Sequence, residues 1–469
     1  MGSQSVGSKK SAPEFLYYMD GFMKMHTVTI GGSIGANSSD GGGAETPSLF
    51  SARMMNTNWF ERSVAEGTVA AGSTFYQTDP KRTSDRMPML NMQACTAGNC
   101  DNSPVVAYLL PDGETLVYAT DKSDPLVVDP EALNTTGVLA WEDDLAMPGS
   151  PAASHTLADP SGNGGIIGLV IPPPSVSEAI VYRVAPGAPR VRVEVGRVGV
   201  RQGLYDHAFG LTKAHAVVVE HPVSVRIKTL LTAKPLIDAF EMDNASTTKI
   251  HTVDLASGEV ATFDAGHPFM LMHVGNSYED ESTGIITFDA ECFDMTANPF
   301  GFFLFDSILD ESFVPQLGST YRRYTLDPST GVVSFKELLA PQDGEGGTYG
   351  FTKINDAWAG AKNCFTYITH FGPAHTASVV KYDHCAEAVV GEWAPAATYP
   401  TEMVFVGDPA RAGSGGQEDA GVLVGITYDA STMTSSFTVV DAVTMTTLAA
   451  AALPIRVPYP LHGTFLAAH

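Results

Sequence analysis

Near the middle of the chain the sequence reads His267-Pro-Phe-Met-Leu-Met-His-Val-Gly-Asn-Ser-Tyr-Glu-Asp280. Its apolar run, residues 269–272, predicts a buried strand that delivers His273 at its end, followed by turn residues. A histidine in this position is a common way to hold a metal ligand at the rim of a sheet. A single histidine on an apolar face is more often a satisfied core residue, so a metal site requires partners for His273 elsewhere in the chain.

Short apolar runs bounded by turn signals continue on both sides of this stretch. They are rich in Val, Ile, Thr and Tyr, which suit a pleated, half-buried surface. They predict strands at residues 24–30, 105–110, 166–171, 179–184, 190–195, 216–220, 285–289, 422–428 and 436–441. Helical signal is thin, since the Ala-rich run 448–453 is short and is followed by Pro454. This density of strands predicts an all-β fold, either a propeller or a large sandwich.

The composition narrows the choice of partners and compartment. The chain has 52 acidic and 27 basic residues, for a formal net charge of -25. Because this balance repels phosphate backbones, we expect no nucleic-acid partner. No run of 18 or more apolar residues occurs, so no transmembrane helix is expected. Five cysteines at irregular spacing predict free thiols in a reducing compartment.

The domain organisation is expected to be simple. Residues 1–15 are rich in Ser, Gly and Lys, lack the apolar core of a signal peptide and are predicted to be flexible. No Gly-rich linker cleanly divides the remainder, so residues 16–469 are expected to form one domain. The expected location is cytoplasmic, with a peripheral membrane contact and a plastid location as alternatives.

Four histidine-bearing segments share one design, in which a single histidine follows a loop or strand end with an apolar run nearby. The histidines are His155, His207, His273 and His462. Because the strands of a propeller converge on one axis, histidines far apart in sequence can meet there. In a chain with 13 histidines, four unrelated residues remain the competing interpretation of this pattern.

The chain resembles the carotenoid cleavage oxygenases, a family that includes apocarotenoid- and stilbene-cleaving enzymes and the retinoid isomerohydrolase. The resemblance runs from about residue 17 to residue 465. The matching segments occur in family order and begin at Tyr18-Met-Asp-Gly-Phe, Val128-Asp-Pro-Glu, His207-Ala-Phe-Gly-Leu-Thr, Asn276-Ser-Tyr-Glu, Tyr399-Pro-Thr-Glu, Glu418-Asp-Ala-Gly and Tyr459-Pro-Leu-His-Gly-Thr-Phe.

The resemblance implies a seven-bladed β-propeller with a non-haem Fe2+ on its axis. The implied ligands are the four histidines of the shared design, His155, His207, His273 and His462. The remaining histidines are interpreted as structural or surface residues, among them His215, His221, His267, His370, His375 and His384.

The resemblance also implies carboxylates behind the ligands, where three Glu normally accept the second imidazole N–H. Glu402 matches one of these positions, and Asp121 stands at the second, one methylene shorter. Gly350 stands where the third belongs, which implies that His273 lacks its carboxylate unless Glu345 substitutes. On this interpretation, Gly350→Glu is expected to raise iron occupancy.

The implied activity is the addition of O2 across one C=C bond of a carotenoid or apocarotenoid, giving two carbonyl products. Stilbene cleavage, retinoid isomerisation and polyene binding without turnover are the alternatives. Thr120 and Lys122 flank Asp121, which does not reproduce the lysine arrangement of the stilbene-cleaving branch. Residues 298–305 are a candidate wall of an apolar tunnel, and residues 223–231 a candidate lipid contact. Residues 298–305 could instead form a buried strand or a core turn, and residues 223–231 could instead form an edge strand.

Overall fold

Short antiparallel strands, each paired with neighbours in sequence, make up most of the protein. The computed structural model describes residues 14–15, 21–30, 48–70, 78–79, 105–172, 177–201, 205–226, 236–243, 245–294, 318–341, 347–372, 376–409, 411, 417–457 and 460–467. Each predicted strand coincides with an observed strand to within two residues at either end, except where the observed strand continues further. None of the helices in these residues is long and apolar enough to span a membrane.

The N-terminal region forms two strand pairs and one helix. Its elements are β1 (Glu14–Phe15), β2 (Lys24–Thr29), β3 (Leu49–Met54), α1 (Asn58–Glu66) and β4 (Thr78–Asp79). Strand β1 pairs with β4 and β2 pairs with β3. Sequence reasoning missed α1, although Thr57 caps its first turn by accepting from the Phe60 N–H and Gly67 ends it at φ 64°.

Six sheets of four or five strands follow, and we call them blades 1 to 6. Blade 1 contains β5 (Val106–Leu109), β6 (Leu116–Thr120), β7 (Lys122–Asp129) and β8 (Asn134–Val138). Blade 2 contains β9 (Leu157–Ala158), β10 (Ile166–Val170), β11 (Glu178–Val184) and β12 (Arg192–Gly199). Blade 3 contains β13 (Gly210–Leu211) and β14 (His215–Glu220), then an excursion with β15 (Val223–Val225), a 3-10 helix (Leu236–Ala239) and β16 (Phe240–Met242), and finally β17 (Lys249–Asp254) and β18 (Val260–Asp264).

The second half of the chain repeats this design. Blade 4 contains β19 (Phe269–Glu279), β20 (Ile286–Asp294), β21 (Ser319–Asp327) and β22 (Val332–Leu339). Blade 5 contains β23 (Thr348–Lys353), a 3-10 helix (Asp356–Trp358), β24 (Phe365–Phe371), β25 (Ala377–Asp383) and β26 (Ala388–Trp393). Blade 6 contains β27 (Thr398–Pro400), β28 (Val404–Gly407), β29 (Gly421–Asp429), β30 (Thr434–Asp441) and β31 (Thr446–Ala452), with β27 and β28 both paired to β29.

The all-β propeller is therefore confirmed, but the expected seven blades are wrong: the described residues form six. The N-terminal strands form two-stranded pairs instead of a blade, and the β2–β3 pair packs on blade 1 through Met25 and the adjoining Met55 against Leu126 and Val128. The sequence between β2 and β3 is rich in Gly and Ser and contains few of the β-branched and aromatic residues that favour strands.

The core lies between successive blades. Val181 of blade 2 and Val218 of blade 3 belong to one buried apolar cluster, and Val219 of blade 3 and Phe288 of blade 4 belong to the next. Blades 4 and 5 meet through Tyr321, Ile368 and Tyr382. Fully burying an apolar side chain of this size contributes about 1.5–3 kcal/mol, so each blade depends on its neighbours for stability.

The expectation of free cysteines is wrong for one pair. Cys364 and Cys385 form a disulfide across the hairpin of β24 and β25. Cys292 is buried and free, while Cys95 and Cys100 lie outside the described residues. Strand pairing brings together two cysteines that are 21 positions apart in sequence, so their spacing alone carried no signal.

Replacing Cys385 with serine is expected to lower the free energy of unfolding by about 3 kcal/mol, because the disulfide joins residues 21 positions apart and restricts the unfolded chain. Urea denaturation without reductant measures the difference. Wild-type protein in dithiothreitol is the control and should unfold at the urea concentration found for the variant. Equal stability of the oxidised wild type and the variant would contradict the prediction.

His384, between these cysteines, gives the fold a pH dependence. Burial lowers the pKa of His384 to about 4, although Asp289 opposes the shift. In the unfolded chain His384 is protonated with the ordinary pKa of 6.5, whereas the folded protein holds it neutral down to about pH 4. The contribution of neutral His384 to stability is therefore complete above pH 6.5 and is lost as the pH falls towards 4. Metal-free wild type should lose more thermal stability between pH 7 and pH 5 than metal-free His384→Gln. Parallel losses would refute the assignment.

Candidate metal centre

The structure brings the four predicted histidines together. His155 and His207 lie just before the first strands of blades 2 and 3, His273 lies on the first strand of blade 4, and His462 lies in the segment after blade 6. One ring nitrogen from each lies within 4.8 Å of the others. Four histidines that are far apart in sequence therefore converge on one place in the fold.

The inward-facing nitrogens have few other partners. His273 Nε2 lies 3.3 Å from His462 Nε2, and His155 Nε2 is buried and has no hydrogen-bond partner among the described residues. Burial, together with the other three histidines, lowers the pKa of His155 well below its ordinary value. Burial also lowers the pKa of His462 to about 4, against the effect of Glu402. Both rings are therefore neutral at pH 7 and can donate a lone pair.

Asp121 supports His207 from the loop between β6 and β7. Its Oδ1 lies 2.8 Å from His207 Nδ1, and its Oδ2 accepts from the Tyr205 hydroxyl at 2.9 Å. The Ser154 hydroxyl also donates to Asp121. Burial opposes ionisation of Asp121, but His207 and the two hydroxyl donors outweigh it and lower the pKa of the carboxyl. The predicted contact at Asp121 is present, with Ser154 and Tyr205 as additional members.

Glu402 supports His462 from the turn between β27 and β28. Its Oε1 lies 2.9 Å from His462 Nδ1, and its Oε2 accepts from the Gly463 N–H at 2.9 Å. Lys353 Nζ also lies 2.9 Å from Oε1. Burial opposes ionisation, but Lys353, His462 and Gly463 outweigh it and hold the pKa of Glu402 well below its usual range. Lys353 is a member of this centre that sequence reasoning missed.

His273 has a carboxylate partner, which corrects the expectation drawn from Gly350. The partner is Glu291 on β20, whose Oε2 lies 2.6 Å from His273 Nδ1. Glu345, the substitute suggested by the sequence, lies outside the described residues. Strand β20 also carries Asp289 and Asp294, so an acidic residue in this strand did not by itself mark Glu291 as the partner.

These contacts fit a bound metal ion. A carboxylate that accepts from Nδ1–H leaves Nε2 unprotonated, and three of the four rings have such a carboxylate. Two lone pairs 3.3 Å apart, at His273 and His462, repel each other unless a cation lies between them. His155 Nε2, unpaired within the described part of the chain, completes the set, so the donors present match a metal bound by imidazole nitrogens.

An aromatic residue covers one side of the cluster. Phe351 has φ 51°, a conformation that is uncommon outside glycine, at an irregularity where the register of β23 shifts. Its ring centroid lies 5.7 Å from that of His273 and 5.2 Å from that of His462. Backbone strain of this kind costs about 1–3 kcal/mol and is found most often at functional sites.

The other sequence expectations fall outside the cluster. His267 contacts the Ala265 carbonyl and the Tyr324 hydroxyl, so its structural interpretation agrees with these contacts. Glu279 ends β19 and lies 3.0 Å from His215 Nδ1. The proposed tunnel segment 298–305 and residue His375 lie outside the described residues, as do residues 227–231 of the candidate lipid contact. Residues 446–452, which include most of the Ala-rich run, form strand β31.

Fold and site together define a β-propeller with a candidate four-histidine metal centre. The chain belongs to the family described as retinal pigment epithelial membrane protein, whose model matches residues 9–467. Its curated relatives include carotenoid cleavage dioxygenases, which confirms the resemblance drawn from the sequence.

Individual relatives are distant. A chloroplastic carotenoid cleavage dioxygenase 8 homolog B of Oryza sativa is 27% identical over 77% of this chain. The chain spans 63% of the length of that protein. A mitochondrial carotenoid-cleaving dioxygenase of Macaca fascicularis is 23% identical over 86% of this chain and 84% of its own length. A variant of the Synechocystis apocarotenoid oxygenase shares the fold, with a TM-score of 0.78 at 16% identity over 97% of this chain and 89% of the other.

Proposed function

We propose that the protein is a non-haem Fe2+ dioxygenase that cleaves one C=C bond of a carotenoid or apocarotenoid into two carbonyl products. The observation that supports it most is the convergence of His155, His207, His273 and His462, three of them held from behind by carboxylates. The curated relatives named as carotenoid-cleaving dioxygenases support the substrate class.

Iron is the metal we propose for this donor set. Imidazole nitrogens suit iron, and four neutral ligands add no negative charge to the metal. When bound, Fe2+ would supply the place where O2 is activated beside the alkene.

The protein's own residues orient the ligands and shape their surroundings. Asp121, Glu291 and Glu402 fix the tautomer and ring direction of three ligands and make them better electron donors. Phe351 presents an apolar ring beside His273 and His462, which restricts water on that side. An apolar wall also suits a polyene better than a polar substrate.

Aerobic incubation of the iron-loaded protein with β-carotene, an apocarotenal and resveratrol tests the proposal. We expect two carbonyl products from β-carotene or the apocarotenal, detected by chromatography and mass spectrometry, and none from resveratrol. Anaerobic samples are the control and should give no product. Bound pigment without products would instead support a polyene-binding protein, and cleavage of resveratrol alone would support the stilbene-cleaving alternative.

A further inference from the structure

Glu291 and Gly350 lie on strands of different blades but face one space. Glu291 is buried on β20 of blade 4, and Gly350 lies on β23 of blade 5. A Cβ added at Gly350 would lie 2.9 Å from Glu291 Oε1 and 3.2 Å from Oε2. A side chain at position 350 would therefore enter the space that the Glu291 carboxylate now fills.

The strand register explains why Glu291 reaches His273. Leu271 pairs with Cys292 and Val274 pairs with Ala290, so two residues of β19 lie opposite Glu291 alone. Such a bulge turns the side chains of the longer strand and increases the local twist. His273 is one of the two bulged residues, and its Nδ1 lies 2.6 Å from Glu291 Oε2.

The backbone does not require glycine at position 350. The φ angle of Gly350 is not positive, so the backbone there would accept a residue with a side chain. Because Gly350 has no side chain, a space is left beside it, and the carboxylate of Glu291 fills that space.

We infer that Glu291 is the positioning residue of His273 and that the space left by Gly350 admits its carboxylate. A carboxylate could therefore reach the Nδ1 side of His273 from either of two strands, from position 291 on β20 or from position 350 on β23. Two carboxylates in this buried place would repel each other, and His273 has a single Nδ1–H to donate. Glutamate at 291 and glutamate at 350 therefore exclude each other. This inference rests on the proposed function, since its consequence is for metal binding.

A swap of the carboxylate tests it, with Fe2+ affinity measured anaerobically by competition with a chelator. Glu291→Ala should lower the affinity by about 10- to 100-fold. Gly350→Glu alone should also lower it, contrary to the expectation from the sequence. The double variant Glu291→Ala with Gly350→Glu should recover affinity to within a few-fold of wild type. Glu291→Gln, which preserves volume and an acceptor but not the charge, should lie between wild type and Glu291→Ala.

Matched readouts separate positioning from a merely structural role. Glu281→Gln, in the exposed turn between β19 and β20, is the control and should bind Fe2+ like wild type. The visible spectrum of bound Co2+ reports ligand geometry and should be altered in Glu291→Ala and restored in the double variant. Circular dichroism verifies that each variant is folded.

Two results would overturn the inference. One is wild-type Fe2+ affinity in Glu291→Ala. The other is a folded double variant that binds no better than Glu291→Ala. In either case a wild type that binds iron and cleaves a polyene leaves the proposed function standing. A wild type that binds no iron refutes the proposed function and the inference together.

Discussion

His462→Ala is expected to reduce Fe2+ affinity by more than about 100-fold and to abolish cleavage. The effect should exceed the 10- to 100-fold cost of losing a supporting carboxylate, because a donor atom itself is removed. The Nε2 of His462 lies 3.3 Å from that of His273, so both contribute to one centre. The fold should persist, since Glu402 keeps its contacts with Lys353 and the Gly463 N–H. Metal analysis and product formation measure the two losses.

His267→Gln is the matched control for this experiment. His267 hydrogen bonds outside the cluster, to the Ala265 carbonyl and the Tyr324 hydroxyl. It should therefore keep wild-type iron content. Retention of iron by His462→Ala, or equal iron loss in the two variants, would contradict the assignment of His462.

Glu402→Ala should produce the second largest effect, a loss of about 10- to 100-fold in Fe2+ affinity. Without its carboxylate, His462 loses the acceptor that fixes its tautomer, and the Gly463 N–H loses its acceptor too. Lys353 would then remain beside the cluster without its carboxylate and would repel a metal cation. Chelator competition measures the affinity.

Glu418→Ala controls for the loss of a buried carboxylate as such. Glu418 accepts from the Cys364 and Phe365 N–H groups in blade 5, so its removal should lower stability without affecting iron affinity. Similar iron affinities in Glu402→Ala and Glu418→Ala would show that Glu402 has no special relation to the metal.

The strands could be predicted because their signal is local. Alternating Val, Ile, Thr and Tyr in segments such as β29 and β30 reflect one buried face, and Asp-containing turns close the hairpins. A shared local design singled out the four histidines, but their assignment as ligands came from the resemblance, because no spacing rule links residues on different blades. The number of blades was not accessible in this way, since it depends on how the N-terminal strands pair.

The unpredicted contacts share a physical cause. Glu291 reaches His273 because β19 contains a bulge, and no pattern of residues in the sequence predicted the position of this bulge. The disulfide between Cys364 and Cys385 depends on the pairing of β24 with β25. Lys353 reaches Glu402 from a neighbouring blade. Each of these contacts depends on how strands pair and how neighbouring blades pack, which the separation of the residues in sequence does not indicate.

Anomalous diffraction at the iron absorption edge, from crystals of the iron-loaded protein, tests the central claim most directly. We predict one peak enclosed by the inward ring nitrogens of His155, His207, His273 and His462. The absence of a peak there, or a peak elsewhere with the four histidines unoccupied, would contradict the proposed iron centre.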